Sequence, residues 1–336
     1  MSGGVDSSVT AALLKEQGFD VTGVYMKNWT KDLPGLICPW KEDYQDAKRV
    51  AVQLGIDFIL YDFETEYRHK VVDYMVNEYK VGLTPNPDIM CNQEVKFKLF
   101  LDTAIEDGAD YIATGHYARS RNGHLLKGLD KNKDQSYFLY RVTKEALQKS
   151  LFPIGELEKP AVRKIAKKFN LVTANKPDSQ GICFVGKVGI KDFLLFELGP
   201  QPRGEIIDQT GKVLGEHDGA IFYTIGQRHG LNIGGGLPYY VSKKDMQANT
   251  INVTTNLNDK GLWHKNIDLE DIHWIDAAPK KGKIYTARLR YRGPLVECNI
   301  EGNKLYLNES QRGLAAGQSA VIYDKDIVIG GGIIAL

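Results

Sequence analysis

The chain has 336 residues, 43% apolar and 25% charged, and 43 Lys+Arg against 42 Asp+Glu give a formal net charge of +1. This composition excludes a disordered, collagen-like or coiled-coil chain. Near-neutrality excludes a uniformly basic nucleic-acid coat but leaves room for local basic patches. The length predicts two or three domains. Four cysteines (Cys38, Cys91, Cys183, Cys298) are too few for a disulfide scaffold, and none forms a CxxC pair of the kind that holds structural zinc. No apolar run approaches the roughly 18 residues that span a bilayer. The opening MSGGVDSS is neither a signal nor a transit peptide. The expectation is a cytoplasmic protein with no membrane partner.

Strand and helix signals alternate through the first half. Residues 5–17 read as a helix, with Val9, Ala12 and Leu13 on one face and Gly18 past its end. Residues 20–26 read as a strand, 42–54 as a helix stopped by Gly55, and 56–61 as a second strand. Helical patterns follow at 67–79 and 92–106, then a strand at 109–116 ending in a polar turn, and a helix at 160–169. Such alternation predicts an α/β domain built on a parallel sheet, with ligands bound beyond the carboxyl ends of the strands. After about Gly186 short strand-like runs are separated by turn signals at 208–211, 234–236 and 302–303. Boundaries near 190 and 260 divide the chain into an α/β domain (1–190), a small central β-rich linker domain (191–260) and a C-terminal β-barrel (261–336). Barrel strands are predicted at 284–292, 295–300, 304–307, 319–323 and 327–335.

Met1, Ser2, Gly3, Gly4, Val5, Asp6, Ser7 and Ser8 run straight into the first helix. Two glycines let successive N–H groups converge, the helix start adds partial positive charge, and Ser2, Ser7 and Ser8 offer hydroxyls, which together suit a phosphate. The loop has no lysine, so it is not a Walker loop. A bare glycine turn capped by Asp6 or Ser7 is the plainer reading. The full SGGVDSS string resembles the PP-loop of ATP pyrophosphatases, which cleave ATP between the α- and β-phosphates and adenylate an acceptor. That resemblance implies ATP as substrate, with Asp6 helping to hold Mg²⁺. The motif follows a first β-strand in that superfamily, and here only Met1 precedes it, so the expectation includes a sheet without its first strand.

Two loops deliver cysteines. In TPNPDIMCN, two prolines stiffen the chain and Asn86 is held extended before Pro87, so Asp88 and Cys91 arrive together at a helix start, which favours a thiolate. Asp88 as a helix cap and Cys91 as a small buried residue is the alternative. In NKPDSQGICF, Cys183 is either a loop nucleophile near Lys176 or the first buried residue of a strand. Two loop cysteines beside an ATP-activating loop suggest sulfur chemistry, in which one carries a persulfide and the other attacks it.

Six strings, SGGVDSS, PNPDIMCN, ATGHYAR, KDQSYFL, DSQGICF and GQRHGL, occur in this order. They resemble the bacterial tRNA-specific 2-thiouridylases over essentially the whole chain. The resemblance implies ATP-dependent replacement of the 2-oxygen of the anticodon wobble uridine by sulfur. It implies Cys183 as the persulfide carrier, Cys91 as its partner and Asp88 as general acid/base. It places Asn86, Pro87 and Asp88 around a flipped-out uridine, and residues 1–8, Met26 and Gly115 around ATP. His116, Lys133, Asp134, Gln135, Tyr291, Arg292 and Gln318 fall at family positions near tRNA. The implied partners are tRNAs for Lys, Glu and Gln and an upstream persulfide carrier protein.

One further stretch, residues 280–292, carries six cations and no acid. If 285–292 is a strand, Arg288, Arg290 and Arg292 face one way, which suits a phosphate backbone, or guards a sheet edge. Two other readings stay open: a different PP-loop ligase that adenylates a carboxylate and needs no cysteine, and an RNA-binding protein without ATP turnover.

Overall fold

A computed structural model describes residues 1–33, 37–178, 189–234 and 236–336. The first helix, Val5–Glu16, is capped by Gly4 in an extended conformation and buries Val5, Val9 and Ala12. These side chains meet Val50 of the helix Trp40–Leu54 and Val162 and Ala166 of the helix Lys159–Lys168 in one apolar cluster. Gly55 ends the Trp40–Leu54 helix in the left-handed conformation (φ 59°), where glycine carries no Cβ penalty. The strand Thr22–Lys27 then pairs in parallel with Asp57–Asp62, as expected of a strand–helix–strand unit.

The strand expected at 109–116 is shorter than its apolar pattern suggests. Only Ile112–Ala113 pairs, in parallel with Ser150–Leu151, and these two pairs are separate sheets among the described residues. Beyond Ala113 the Thr114 amide still donates to the Leu151 carbonyl (3.1 Å), and Gly115 and His116 run on outside the ladder.

Two longer helical segments form a hairpin. Glu64–Tyr67, Arg68–Val72 and Asp73–Lys80 run on as one rod with a π-type turn in the middle. Pro87–Met90, Cys91–Leu99 and Phe100–Glu106 form the second, also with π-type turns and a kink at Phe97 (φ −105°, ψ 15°). Residues 81–86 join them.

Past residue 190 a helix absent from the sequence reading, Ile190–Leu198, precedes the central domain. That domain is a four-stranded sheet ordered Val213–His217, Gly204–Ile207, Thr250–Thr254, Tyr240–Asp245. The turn at 208–211 forms as expected, with the Thr210 amide donating to Asp208 Oδ1 (2.8 Å).

The C-terminal domain is a closed six-stranded barrel. Five strands lie where strands were expected, Tyr285–Arg288, Val296–Glu301, Lys304–Arg312, Ser319–Asp324 and Ile327–Ala335, though the first ends four residues before 292 and the third runs five past 307. The sixth, Trp263–Trp274, closes the barrel by pairing with both Lys304–Arg312 and Ile327–Ala335. Two register shifts and a positive φ at Asp271 bend it, which breaks the alternation that would have marked it in sequence.

The barrel and the α/β domain share one core. A hairpin of the first domain, Ala118–Arg121 and His124–Lys127, extends the barrel sheet through Leu126 opposite Ile327. Barrel residues Val321, Tyr323 and Val328 lie in the same cluster as Leu125, Tyr137 and Tyr140.

Candidate active site

The candidate site has two sides, and the glycine-loop side starts at residue 1. The Met1 amine donates to the Val24 carbonyl. Gly3 has φ 71°, and a Cβ there would lie 2.3 Å from the Asp43 carbonyl oxygen, so only glycine lets this loop pass so close to the next helix. The Ser2 amide donates to Ser7 Oγ (3.1 Å). Ser2 is exposed and Gly4, Asp6 and Ser7 are half-buried, whereas Val5 and Ser8 are buried. Two of the three hydroxyls expected to serve a ligand turn back on the loop. Ser7 Oγ donates to the Gly4 carbonyl (3.2 Å) and Ser8 Oγ to the same carbonyl (2.8 Å), because a serine in a first helical turn finds that acceptor at once.

Gly115 packs against the helix start. A Cβ there would lie 2.8 Å from the Ser7 amide nitrogen and 2.9 Å from the Asp6 carbonyl carbon. Asp6 is held by three donations: Tyr117 Oη to Oδ1 (2.9 Å) and Lys159 Nζ to Oδ1 and Oδ2 (2.7 and 2.8 Å). Lys159 also pairs with Asp178 (2.8 Å), which takes Lys133 (2.6 Å) and Arg163 (2.7 Å) as well. Burial works to raise the Asp178 carboxyl, but hydrogen bonds from Lys133 and Lys159 outweigh it and hold the group well below the usual carboxylate range. Lys176 pairs with Asp43 and Asp46 (2.7 and 2.6 Å), and these carboxylates keep its ammonium raised against burial. Met26 is half-buried at the end of its strand.

The other side is the loop at 84–88. The helix begins at Pro87, whose missing N–H is no loss at a first helical position. Asp88 and Cys91 therefore sit in its first turns, Asp88 half-buried and Cys91 buried in the core. Desolvation pushes the Asp88 carboxyl above the ordinary carboxylate range, and the nearby Lys96 opposes the shift. The barrel clasps this loop. Gln318 donates to the Thr84 carbonyl (2.7 Å) and accepts from Asn86 Nδ2 (3.2 Å), and Asn86 Oδ1 accepts from the Ser319 amide (3.0 Å). Tyr291 stacks against Phe138 at 4.4 Å between centroids, and Arg292 lies over Tyr291.

His116 links the two sides. It follows Gly115, accepts or donates at Nδ1 with Thr114 Oγ1 (2.9 Å), and packs against Phe97, the neighbour of Lys96. Burial lowers its pKa well below the ordinary histidine value, and Lys96 adds to the effect.

Four expected RNA contacts, Arg288, Asp134, Gln135 and Lys133, have other partners. The strand expected over 285–292 stops at Arg288, and Leu289 is buried, so the three arginines do not share a face. Arg288 turns inward onto Asp134 (2.9 Å), with both side chains largely buried, while Arg290 and Arg292 are exposed. Asp134 also accepts from the Gly128 and Ser136 amides. The Gln135 side chain accepts from the Tyr117 amide (3.0 Å), and Lys133 lies on Asp178. A buried acid recruits the nearest cation, which is why a basic stretch lost one of its arginines to the core. Cys183 lies outside the described residues. Lys96, Lys159, Arg163 and Tyr117 were absent from the sequence reading; only Tyr117 stood within a recognised string.

Comparison with known proteins places the chain in a family. Residues 1–187 match the model of the tRNA methyl transferase HUP domain, 191–255 that of the tRNA methyl transferase PRC-barrel domain, and 264–334 that of the aminomethyltransferase beta-barrel domain. The tRNA-specific 2-thiouridylase MnmA of Neisseria gonorrhoeae is 49% identical, with 99% of this chain and 94% of that protein covered. The protein of the same name from Streptococcus mutans is 47% identical, with 99% and 93% covered. The chain belongs to the tRNA-specific 2-thiouridylase family. No helix among the described residues is long and apolar enough to cross a membrane.

Proposed function

We propose that this protein is a tRNA uridine 2-sulfurtransferase that consumes ATP. The observation that carries the reading is that Gly115 abuts the Asp6–Ser7 backbone while the next residue, His116, packs on Phe97 of the rod that begins with Asp88 and Cys91. The wobble uridine of a tRNA, with those for Lys, Glu and Gln the family's expected substrates, enters beside Asn86, Pro87 and Asp88 after leaving its stack. Its O2 attacks the α-phosphorus of ATP, pyrophosphate leaves, and the oxygen becomes part of an AMP leaving group. The terminal sulfur of a persulfide on Cys183 attacks C2, and AMP departs. Cys91 then attacks the Cys183 sulfur, giving a Cys91–Cys183 disulfide and the 2-thiouridine. An external dithiol reduces the disulfide, and a carrier protein reloads the persulfide.

A carboxyl with a raised pKa suits Asp88 to exchanging a proton with the base. Magnesium arrives with the nucleotide on this reading. The described residues offer no cluster of three or more ligating side chains, and Asp6 alone, beside phosphate oxygens, fits an ion that binds through one or two carboxylates and substrate phosphates. Lys133, Arg290, Tyr291, Arg292 and Gln318 are the surface we assign to tRNA, with the buried His116 behind it.

The test is thiolation of unmodified glutamate tRNA with ATP, Mg²⁺ and a persulfide source, read on a mercury-containing gel. An ATP-dependent shift is expected, lost in Cys183→Ser and Asp88→Asn. Full activity in Cys183→Ser overturns the sulfur-carrier role. Release of AMP without any shift, with a carboxylic acid as acceptor, favours the ligase reading.

A further inference from the structure

The loop at residues 2–8 contains no basic residue, although a triphosphate is a strong anion and serine hydroxyls and backbone amides carry no full charge. Tertiary structure brings a cation there from 153 positions away. Lys159 Nζ lies 2.7 and 2.8 Å from the two Asp6 oxygens, in the first turn of the helix whose start the loop caps. The lysine is fixed rather than drifting. Its own amide donates to Asp130 Oδ2 (2.9 Å), its ammonium lies over the Tyr117 ring (5.7 Å) and reaches Asp178 (2.8 Å), and its side chain is only 13% exposed. A lysine serving stability alone has no need to sit on the acid of a phosphate-type loop. Its helix neighbour Lys168 pairs with Glu16 at the surface instead.

We infer that Lys159 is the phosphate-binding cation of this nucleotide site, held on Asp6 until the β- and γ-phosphates of ATP take it over. The inference rests on the nucleotide reading above and adds to it the residue that distinguishes ATP from AMP. It also gives Asp6 a second task, since the carboxylate that faces the incoming magnesium is the one that stores the lysine.

The experiment compares binding of ATP and of AMP to the full-length protein and to Lys159→Met, with Lys168→Met as control. Loss of one charge-assisted contact predicts ATP affinity reduced by about 10- to 100-fold, AMP affinity changed by less than about threefold, and Lys168→Met like the wild type. Equal weakening of both nucleotides, or unchanged ATP affinity, overturns the inference and leaves Lys159 a structural ion pair. Should Lys159→Met fail to fold, labelling of the wild-type protein with an amine reagent decides. ATP is expected to slow modification of Lys159 more than AMP does, and equal protection by both overturns the assignment. A wild-type protein that binds neither nucleotide overturns the nucleotide reading itself.

Discussion

At the scale of single residues, Gly115 and His116 carry the sharpest consequences. No side chain fits between Gly115 and the Asp6–Ser7 backbone, so Gly115→Ala must push the helix start away. We expect at least about a tenfold loss of ATP affinity with little change in folding, measured by titration and thermal melting. His116 is buried and its pKa is depressed, so the folded state resists protonation that the unfolded chain accepts below about pH 6.5. Stability contributed by the neutral imidazole is therefore complete above that pH and is lost as pH falls toward the folded pKa. Urea unfolding between pH 7 and 5 should show falling stability, and His116→Gln should flatten the slope by up to about 1.4 kcal/mol per pH unit. His217, His264, His273 and the Met1 amine, which burial lowers to about 5, are shifted the same way and contribute to the slope that remains. An unchanged slope in the variant would refute the assignment.

At the scale of elements, the loop at 84–88 is held by a partner far away in sequence. Gln318 and Ser319 bind it from the barrel, and the Thr84 amide donates to the Ala316 carbonyl (2.8 Å). Gln318→Ala should loosen the base-binding loop without touching the nucleotide loop. The expected result is a KM for tRNA raised about 3- to 30-fold with ATP affinity unchanged, since about one or two hydrogen bonds are lost. A change in ATP affinity instead would mean that the two sides are coupled through the barrel. The hairpin Ala118–Arg121 and His124–Lys127 shows how much of this was readable. Its Asn122-Gly123 turn, both residues at positive φ, is a strong hairpin signal that the helix–strand alternation overshadowed. Its role as an added strand of the barrel sheet was not readable, since nothing local names a partner some 200 residues on.

At the scale of the whole molecule, the buried Arg288–Asp134 pair ties the barrel to the first domain, alongside Arg141 on Asp271 (2.8 Å) and Tyr137 Oη on the Ser319 carbonyl (2.9 Å). Arg288→Ala leaves Asp134 charged and buried, which predicts a loss of about 3–5 kcal/mol in a shared unfolding transition. Arg290→Ala, an exposed neighbour, should stay within about 0.5 kcal/mol and weaken tRNA binding, with a shallower salt dependence. Separate melting of the barrel in Arg288→Ala would show that the domains are less coupled than their common core implies.

The sequence by itself determined the elements whose signals are local. Helix faces repeat every three to four residues, the barrel strands alternate between tight turns, and the glycine loop and the proline-stiffened 84–88 loop each announce a backbone geometry. What it could not determine is which distant group meets which. Lys159 on Asp6, Gln318 on Asn86, and Arg288 on Asp134 rather than facing solvent are settled only when the chain folds, because a charge or amide chooses its partner by distance in space and by the cost of leaving a buried neighbour unpaired.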